Sequence, residues 1–398
     1  MAKKIMNRRN FMKSTVAGVG GLFFLASNVK AEEKKQSNRK FIYRTLGKTG
    51  LKLPIVSMGM NNAGNPNLVR AALDAGIVHL DTAHAYQRGQ NEEMIGQVIK
   101  GRPRDSYIVG TKVESSQNRI TFLYTNEATE EAFLKTLDAS LKRLGLDYLD
   151  ILYHHRVARR ESALFEPILK AMEKAKKDGK TRFVGISTHR NEPEVIRAAV
   201  DSKFYEVVLT SYNFKQRHYL EVREAIAKAA QAGLGVVAMK VMAGVTFQDP
   251  LKPINPSAAL KWVLQDPNVT TTVPGFNTFE EMNIDLAVME DLALTDSEKD
   301  YLKTASITPG LYCQGCGQCV KQCIAQLPIP DLMRAYMYTY GYQRPAMAKE
   351  LVVSLGLPSR VCEGCGQCPV KCSIGFEVPR KIRDVARLRD VPAEFIAG

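Results

Sequence analysis

The feature that most constrains the fold of this sequence is a regular alternation of short apolar runs and longer segments with helical periodicity. It extends from Ile55 to about Leu286. The apolar runs are rich in β-branched residues, which is typical of buried strands, and the segments between them carry apolar residues three and four positions apart. Eight such runs are present, beginning at Ile55, Ile77, Tyr107, Tyr148, Arg182, Glu206, Gly235 and Thr270.

Strands that alternate with helices form parallel sheets, and eight units in about 240 residues predict an α/β fold closed into a (β/α)8, or TIM, barrel. The main alternative is an open doubly wound sheet, but no G-x-G-x-x-G motif follows the first strand. Asn65 and Pro66 form a recognisable helix start. The clearest predicted helices are Pro66–Ala75, Glu92–Lys100, Thr129–Leu144, Glu166–Lys177 and Tyr219–Gly233.

Ionisable side chains occur at the ends of three successive predicted strands. Asp81 ends the second strand and Tyr86 follows it, Lys112 ends the third, and His154-His155 ends the fourth. Active sites of such barrels lie at the C-terminal ends of the strands, so these groups are expected to converge. Each residue alone also fits a structural role, such as a helix cap or a buried histidine. Their occurrence together favours a catalytic site.

The chemistry of this set is coherent. A lysine next to a tyrosine stabilises the tyrosinate and lowers the tyrosine pKa, so Lys112 is expected to lower that of Tyr86. Asp81 would hold Lys112 in place, and His155 would donate a hydrogen bond to a substrate carbonyl oxygen. The set therefore suits protonation of a carbonyl oxygen while a hydride reaches the carbonyl carbon.

All eight cysteines fall in two runs near the C-terminus, each with the spacing C-x-x-C-x-x-C-x-x-x-C. The runs are Cys313, Cys316, Cys319, Cys323 and Cys362, Cys365, Cys368, Cys372. This is the bacterial ferredoxin spacing for 4Fe-4S clusters, in which the fourth cysteine typically ligates the other cluster. One cluster would then take Cys313, Cys316, Cys319 and Cys372, and the other Cys323, Cys362, Cys365 and Cys368.

A disulfide framework and structural zinc sites are the two alternative uses of these cysteines. A disulfide framework would not need two identical runs, and structural zinc sites use pairs of C-x-x-C rather than triplets followed by one further cysteine. Two 4Fe-4S clusters are therefore the preferred interpretation. Between the runs, the apolar and aromatic side chains from Ile329 to Leu355 have near-helical spacing, which predicts helices that join two cluster loops.

The N-terminus has the three parts of a secretory signal: a basic stretch, an apolar stretch from Val16 to Ala26, and small residues at Val29 and Ala31. Arg8–Lys13 resembles the twin-arginine motif R-R-x-F-L-K. The predicted organisation is a twin-arginine signal over 1–31, a linker over 32–39, the barrel over 40–305 and a small, mainly helical, two-cluster ferredoxin-like region over 306–398. Export to the periplasm by the twin-arginine machinery is expected.

Composition excludes two broad classes. Hydrophobic residues make up 45% of the chain, which is too many for a disordered protein. The net charge is +14, but the first 31 residues hold six Lys and Arg and no acid, which leaves +8 for the remainder. That excess is modest and spread along the chain, so it does not indicate a nucleic-acid-binding protein.

The residues of the predicted barrel resemble an aldo-keto reductase over 40–290. Arg44–Leu51 is similar to the opening hairpin of that family, and Asp81–Tyr86 to its D-T-A-x-x-Y stretch. Gly110–Val113 and Asp150–His155 match its lysine and histidine segments, with His155 rather than His154 in the place of the family histidine. With the cysteine runs, the chain resembles the subgroup that carries a C-terminal two-cluster tail.

The resemblance implies roles for these residues. Tyr86 would be the general acid and base, tuned by Lys112 and Asp81, and His155 would orient a carbonyl or alcohol substrate. It also implies hydride transfer with NADP or NAD. The residues expected to bind that cofactor are Gly59, Ser187, Thr188, Lys240 and Gly275.

The cofactor segments also depart from the family pattern. Thr188 replaces the Asn of G-x-S-N, and Leu209 stands where many members have Gln. Met239-Lys240 replaces an aromatic residue followed by Ser, and Glu281 falls where members specific for NADP often carry Arg. A carboxylate would repel a 2′-phosphate, and Lys240 is a candidate for compensating charge.

Three functions follow as hypotheses. The first is an exported oxidoreductase that interconverts a carbonyl and an alcohol and exchanges electrons through its two clusters with a partner protein. The second is an electron-transfer or docking protein on a reductase scaffold that no longer uses nicotinamide. The third is an NADPH-dependent reductase with structural clusters. Direct exchange between a hydride and the clusters needs a converter, and the sequence shows no flavin motif.

Overall fold

The structure, a computed structural model, describes residues 39–244, 254–307 and 310–396. The predicted signal over 1–31 and most of the predicted linker lie outside these residues. Ile42–Gly398 forms one compact unit, which holds both the barrel and the cysteine runs. Among the described residues, no helix has the length and apolar character needed to cross a membrane.

Eight parallel strands form the central sheet, in the order of the chain from β3 to β10. The sheet closes through a bridge between Val56 and Thr272, where the Ser57 amide donates to the Thr272 carbonyl at 2.8 Å. The predicted barrel is therefore confirmed. Its strands are β3 (Met58–Gly59), β4 (His79–Asp81), β5 (Ile108–Val113), β6 (Leu149–His154), β7 (Thr181–Thr188), β8 (Val207–Ser211), β9 (Gly235–Met239) and β10 (Thr271–Thr272).

Helices follow the strands and bury one apolar face each against the sheet. Asn65 caps the first helix by accepting a hydrogen bond from the Asn67 amide, as its position before Pro66 predicts. The helices of the barrel are α1 (Pro66–Asp74), α2 (Gln90–Ile99), α3 (Glu130–Leu144), α4 (Arg160–Ala163), α5 (Glu166–Lys177), α6 (Glu192–Ser202), α7 (Tyr219–Gln231), α8 (Pro256–Leu264), α9 (Phe279–Glu290) and α10 (Asp296–Ile307).

A hairpin of β1 (Tyr43–Thr45) and β2 (Lys52–Pro54) closes the N-terminal end of the barrel. Leu46 of its turn is fully buried in the barrel core. Gly47 has a φ of +50°, and a Cβ on it would lie 2.5 Å from the Gly233 carbonyl oxygen, so only glycine fits. Because this end is plugged, the open end of the barrel is the one at which the strands terminate.

The C-terminal part is mainly helical, with α11 (Ile329–Tyr340), α12 (Pro345–Ser354) and α13 (Val378–Ala386). These helices pack around a small apolar core of their own, on which both cysteine runs lie. Its buried members are Leu327, Ile329, Leu332, Met333, Val361, Val378, Ile382 and Ala386. The predicted helical spacing between the runs is thus realised as two helices, which break at Gly341 before Pro345.

Candidate active site

A buried ion pair lies at the ends of β4 and β5. The Lys112 ammonium donates to Asp81 Oδ1 at 2.5 Å and to the Thr82 carbonyl at 2.6 Å. Both side chains are almost completely buried. Burial raises the pKa of Asp81 and lowers that of Lys112, because each charged form leaves water, while the contact between them favours the charged forms. The two residues predicted to tune the tyrosine are therefore held together.

Tyr86 lies in a helical turn directly after β4. The Lys112 ammonium is 5.1 Å from the centroid of its ring. Burial raises the pKa of Tyr86 well above its usual value, and the charge of Asp81 raises it further. The expected lowering by Lys112 does not dominate, because the Lys112 charge is already shared with Asp81 and the Thr82 carbonyl. Tyr86 therefore keeps its proton at neutral pH, as a proton donor must.

The two adjacent histidines have different environments. His154 lies between two tyrosines: its Nε2 contacts the Tyr124 hydroxyl, and its Nδ1 is 3.1 Å from the Tyr205 hydroxyl. His155 instead packs edge-on against Tyr86, with ring centroids 6.3 Å apart, and its buried Nδ1 has no hydrogen-bond partner among the described residues. Burial lowers the pKa of His155 well below its usual value, so it is a neutral imidazole.

These groups line one cavity of about 750 Å³ at the open end of the barrel. Asp81, Tyr86 and His155 form the side that we call the floor, together with the buried Lys112. The opposite side comes from the C-terminal part, and we call it the roof. The lining residues of the roof are Arg334, Tyr338, Tyr342, Arg344, Pro345, Ala346, Met347, Glu350, Leu351 and Ser354.

The residues predicted to bind the cofactor divide into two groups. Gly59, Lys240 and Gly275 line the cavity. Ser187 and Thr188 are fully buried at the end of β7 and are not part of its lining. The Ser187 hydroxyl lacks a partner among the described residues, which fits a group supplied by a ligand, whereas the Thr188 hydroxyl donates to the Arg190 carbonyl at 2.8 Å.

Two acidic side chains on α9 border the same cavity. Glu281 completes a capping box, accepting hydrogen bonds from the Asn277 and Thr278 amides at 2.6 and 3.3 Å. Asp285 is buried one turn later, and burial together with the Glu281 charge raises its pKa well above its usual value. A phosphate brought to this part of the cavity would face the Glu281 carboxylate.

The eight cysteines are free thiols that separate into two sets. Cys323, Cys362, Cys365 and Cys368 line a single cavity of about 70 Å³. Cys313, Cys316, Cys319 and Cys372 form the other set. Burial raises the pKa of Cys319 to about 12, and the nearby Cys313, Cys316 and Cys372 contribute to that shift. The fourth cysteine of each run therefore lies with the three leading cysteines of the other run, as crossed ligation requires.

In the described part of the chain, no group of three or more Cys, His, Asp or Glu side chains is placed to hold a single metal ion. A cubane cluster binds each cysteine through a different iron, so its ligands lie farther apart than those of a single ion.

Sequence reasoning missed the residues that α11 adds to this site. Asp331, Arg334 and Tyr338 are spaced three and four positions apart and so share one face of the helix. Asp331 is fully buried and Arg334 and Tyr338 line the cavity. The apolar stripe on the same helix, which predicted a core, is indeed buried in part at Leu332 and Met333. The polar face was the signal that could have located the roof.

Comparison with known proteins finds a matching family and several similar sequences. The sequence model of the aldo/keto reductase family matches residues 50–256. L-glyceraldehyde 3-phosphate reductase of Escherichia coli (strain K12) is 36% identical over 163 residues, covering 38% of this chain and 46% of that protein. L-galactose dehydrogenase of Arabidopsis thaliana is 34% identical over 161 residues, covering 37% and 49%. The chain thus spans about half the length of these curated relatives.

A solved structure of an aldo-keto reductase from Bacillus halodurans superposes with a TM-score of 0.54 at 21% identity, covering 69% of this chain and 98% of that one. At this identity the similarity concerns the fold alone. Because the family model matches more than half of the sequence, and the barrel carries the expected strands and hairpin, the chain belongs to the aldo/keto reductase family.

Proposed function

We propose that this protein is an oxidoreductase that interconverts a carbonyl and an alcohol at the floor of the cavity. The observation that carries this proposal is the placement of Tyr86 and His155 side by side on one cavity, above the Lys112–Asp81 ion pair. The two relatives named above, one a reductase and the other a dehydrogenase, are oxidoreductases by name, which supports the same class.

The residues of the chain would act as follows. His155 is neutral and buried, so its ring N–H can donate a hydrogen bond that orients and polarises a carbonyl oxygen. Tyr86 would give its proton to that oxygen during reduction and take it back during oxidation. As the tyrosinate forms, Lys112 would stabilise the negative charge across the 5.1 Å that separates it from the ring.

A bound nicotinamide would supply or accept the hydride in this reaction. Gly275 lines the cavity in which that cofactor would lie. Gly59 lies on the same cavity wall. Glu281 opposes a 2′-phosphate, so we infer that NAD fits this cavity better than NADP does.

We further propose two 4Fe-4S clusters with crossed ligation, which would supply one-electron transfer to a partner protein. The single cavity lined by Cys323, Cys362, Cys365 and Cys368 supports this assignment. Cys365 and Cys368 are exposed, so this set of thiols is open to solvent and to a partner. The region over 306–398 would be the cluster domain, and the region over 40–305 the reductase barrel.

We also propose that the protein is exported to the periplasm. The support comes from the sequence over 1–31, where Arg8-Arg9 precedes an apolar stretch, with the linker over 32–39 following. The twin-arginine machinery carries folded proteins, which would allow clusters to be inserted before transport.

A second candidate function is an electron-transfer or docking protein on a reductase scaffold that has lost nicotinamide. Two observations favour it. The Thr188 hydroxyl, at the position of the family Asn, is occupied by the Arg190 carbonyl, and Leu209 is buried in the barrel core. Neither side chain is available to hold a carboxamide.

An anaerobic titration of the mature protein with NADH and NADPH tests the proposal. Nicotinamide fluorescence and the visible absorbance of the clusters would be followed together. We expect binding, tighter for NADH, and bleaching of the cluster band would indicate that a converter passes electrons from the hydride to the clusters. Binding without bleaching would indicate a reductase whose clusters are structural. Absence of binding by either nucleotide would contradict the nicotinamide proposal and favour the second candidate function.

A further inference from the structure

A cluster of cationic side chains lies between the roof and the strand ends. Its members, which we call the cation cluster, come from four separate segments of the chain. They are Arg156, Arg190, Lys240 and Arg334. Arg156, Lys240 and Arg334 line the same large cavity, and Arg190 shares the Asp331 carboxylate with Arg156. Such a concentration of like charge on side chains that are partly or fully buried is costly unless anions balance it.

The nearby carboxylates are committed to two members of the cluster. Asp331 Oδ1 accepts hydrogen bonds from Arg190 at 2.8 Å and from Arg156 at 3.2 Å. Glu114 pairs with Arg156 at 3.0 Å and is 3.7 Å from Arg119. Two carboxylates therefore pair with Arg156 and Arg190. Among the described residues no carboxylate forms an ion pair with Lys240 or Arg334, although Asp331 lies within electrostatic range of Arg334.

Glu192 is the remaining acid near Lys240, but its carboxylate forms its hydrogen bonds with other residues. Its carboxylate is 2.5 Å from the Ser211 hydroxyl and 2.9 Å from His218 Nε2. In the part of the chain that the structure describes, the Lys240 ammonium makes no hydrogen bond or ion pair. Desolvation and the neighbouring arginines lower its pKa to about 7.

The Arg334 guanidinium, like the Lys240 ammonium, has few hydrogen-bond acceptors near it among the described residues. Its guanidinium lies against the His189 ring, with Nη2 3.1 Å from Nδ1 and Nη1 3.4 Å from Nε2. Burial and the same cations lower the pKa of His189 well below its usual value, so the ring is neutral. A neutral imidazole has a single acceptor nitrogen, and Arg334 therefore retains N–H donors that no group of the described residues accepts.

Lys240 and Arg334 also face the same space as the floor. Both line the large cavity with Tyr86 and His155, and both also line a second cavity of about 30 Å³, of which Cys313 is part. Lys240 has a φ of +56°, in the left-handed region that favours glycine. The geometry therefore favours binding of a ligand rather than a packing role.

We propose that Lys240 and Arg334 bind an anionic group, a carboxylate or a phosphate, on the substrate whose carbonyl group reaches Tyr86 and His155. This inference rests on the proposed function, because it assigns the substrate class of the same cavity. A planar guanidinium and an ammonium together match the oxygens of a carboxylate or phosphate. The same chemistry would also recognise the diphosphate of a nucleotide, so the experiment must separate these two sources.

The experiment compares an anionic and a neutral aldehyde with the same four-carbon chain, succinic semialdehyde and butanal, at saturating NADH. Two variants of the full chain, Lys240→Met and Arg334→Gln, each remove one charge from the site. Two matched controls, Lys170→Met and Arg70→Gln, remove the same charges from exposed helices α5 and α1. Binding of NADH is measured on every variant by fluorescence.

We expect kcat/KM for succinic semialdehyde to fall about 10- to 100-fold in each site variant, as for loss of one hydrogen bond to a charged group. Values for butanal, NADH affinity and both controls should stay unchanged. An equal loss for both aldehydes together with weaker NADH binding would overturn the proposal, since the anion would then be the nucleotide diphosphate. A wild-type protein with no preference between the aldehydes would overturn it as well.

A binding measurement keeps this inference separate from the proposed function. If the wild-type chain reduces neither aldehyde, the proposed function fails, and calorimetric titration with succinate then decides the anion site by itself. We expect succinate to bind the wild-type chain and the two controls but not Lys240→Met or Arg334→Gln. Absence of succinate binding by the wild type would overturn the anion site.

Discussion

The floor of the cavity and the cation cluster differ in how their cations are paired with carboxylates. On the floor, the single cation Lys112 is matched by the single carboxylate Asp81 at 2.5 Å, and both are shielded from water. In the cation cluster, the Asp331 carboxylate pairs with both Arg156 and Arg190. Lys240 and Arg334 form no ion pair with a carboxylate of the described residues. The floor is therefore complete without a ligand, whereas the cluster is not. This difference fits the two proposed roles. The catalytic floor has its charges balanced before a ligand binds, whereas a site that recognises a charged molecule keeps charges for that molecule to balance.

The largest expected effect tests whether the floor is catalytic at all. Replacing Tyr86 with Phe removes the only proposed proton donor to the carbonyl oxygen. General acid catalysis contributes about 10²- to 10⁴-fold to rate, so kcat for aldehyde reduction should fall by that factor. Steady-state kinetics with butanal measure this loss. Tyr43→Phe, at an exposed position on β1, is the control. Unchanged turnover in Tyr86→Phe would favour the scaffold function instead.

The next prediction compares the two kinds of buried cation directly. Lys112→Met leaves the Asp81 carboxylate buried without its partner, which should cost about 3–5 kcal/mol of unfolding free energy. Lys240→Met removes a cation that has no acidic partner, so the free energy of unfolding should not fall. Urea unfolding of both variants at pH 7 measures the difference. Similar losses in both would mean that the two regions do not differ as described.

The pH dependence of stability should isolate Lys240. In the folded chain its pKa is lowered from 10.5 to about 7 by burial and by the other cations of the cluster, partly offset by Glu192. Between these values the unfolded chain binds more protons than the folded chain, so the unfolding free energy should rise with pH in that window. We expect a gain of about 2 kcal/mol at most between pH 7 and 9.

Lys240→Met should flatten this rise, because the group that titrates is gone. Urea unfolding at several pH values in the wild type and in Lys240→Met checks it, with Lys170→Met as the control. Parallel curves for wild type and Lys240→Met would show that Lys240 keeps an ordinary pKa in the folded protein.

The smallest expected effect concerns the nucleotide. Glu281→Gln removes the charge that opposes a 2′-phosphate, while the Gln amide oxygen can still accept the hydrogen bonds of the capping box. Removing about 1 kcal/mol of repulsion should improve NADPH affinity about fivefold and leave NADH affinity unchanged. Fluorescence titrations measure both, with the exposed Glu280→Gln as the control. No change in the ratio of affinities would place the 2′-phosphate away from Glu281.

Much of the fold could be predicted because its determinants are local. Strand starts were predicted within three residues of those observed, as at Tyr107 against Ile108, and α5 was predicted at its observed bounds, Glu166–Lys177. The floor followed from the same pattern, since parallel strands end on one side of a barrel and bring Asp81 and Lys112 together.

The cation cluster could not be predicted in this way. Arg156 and Arg334 are about 180 residues apart in the chain, and no periodicity relates them. Their proximity depends on how α11 packs over the strand ends, which is a tertiary property. The pKa of Tyr86 was misjudged for a similar reason: the sequence shows that Lys112 is near, but not that Asp81 and the Thr82 carbonyl already hold its ammonium.

The roof over the cavity has a consequence for how such a protein can diversify. The residues proposed to move protons and the roof residues proposed to admit a molecule belong to distant stretches of chain: His155 and Arg334 are about 180 residues apart. A substitution on the exposed turn between α11 and α12 can therefore alter which molecules enter while leaving the proton donor untouched. Substrate selectivity and catalytic activity can therefore change independently. Proteins that share an ancestor could acquire new substrates while keeping the same catalytic residues.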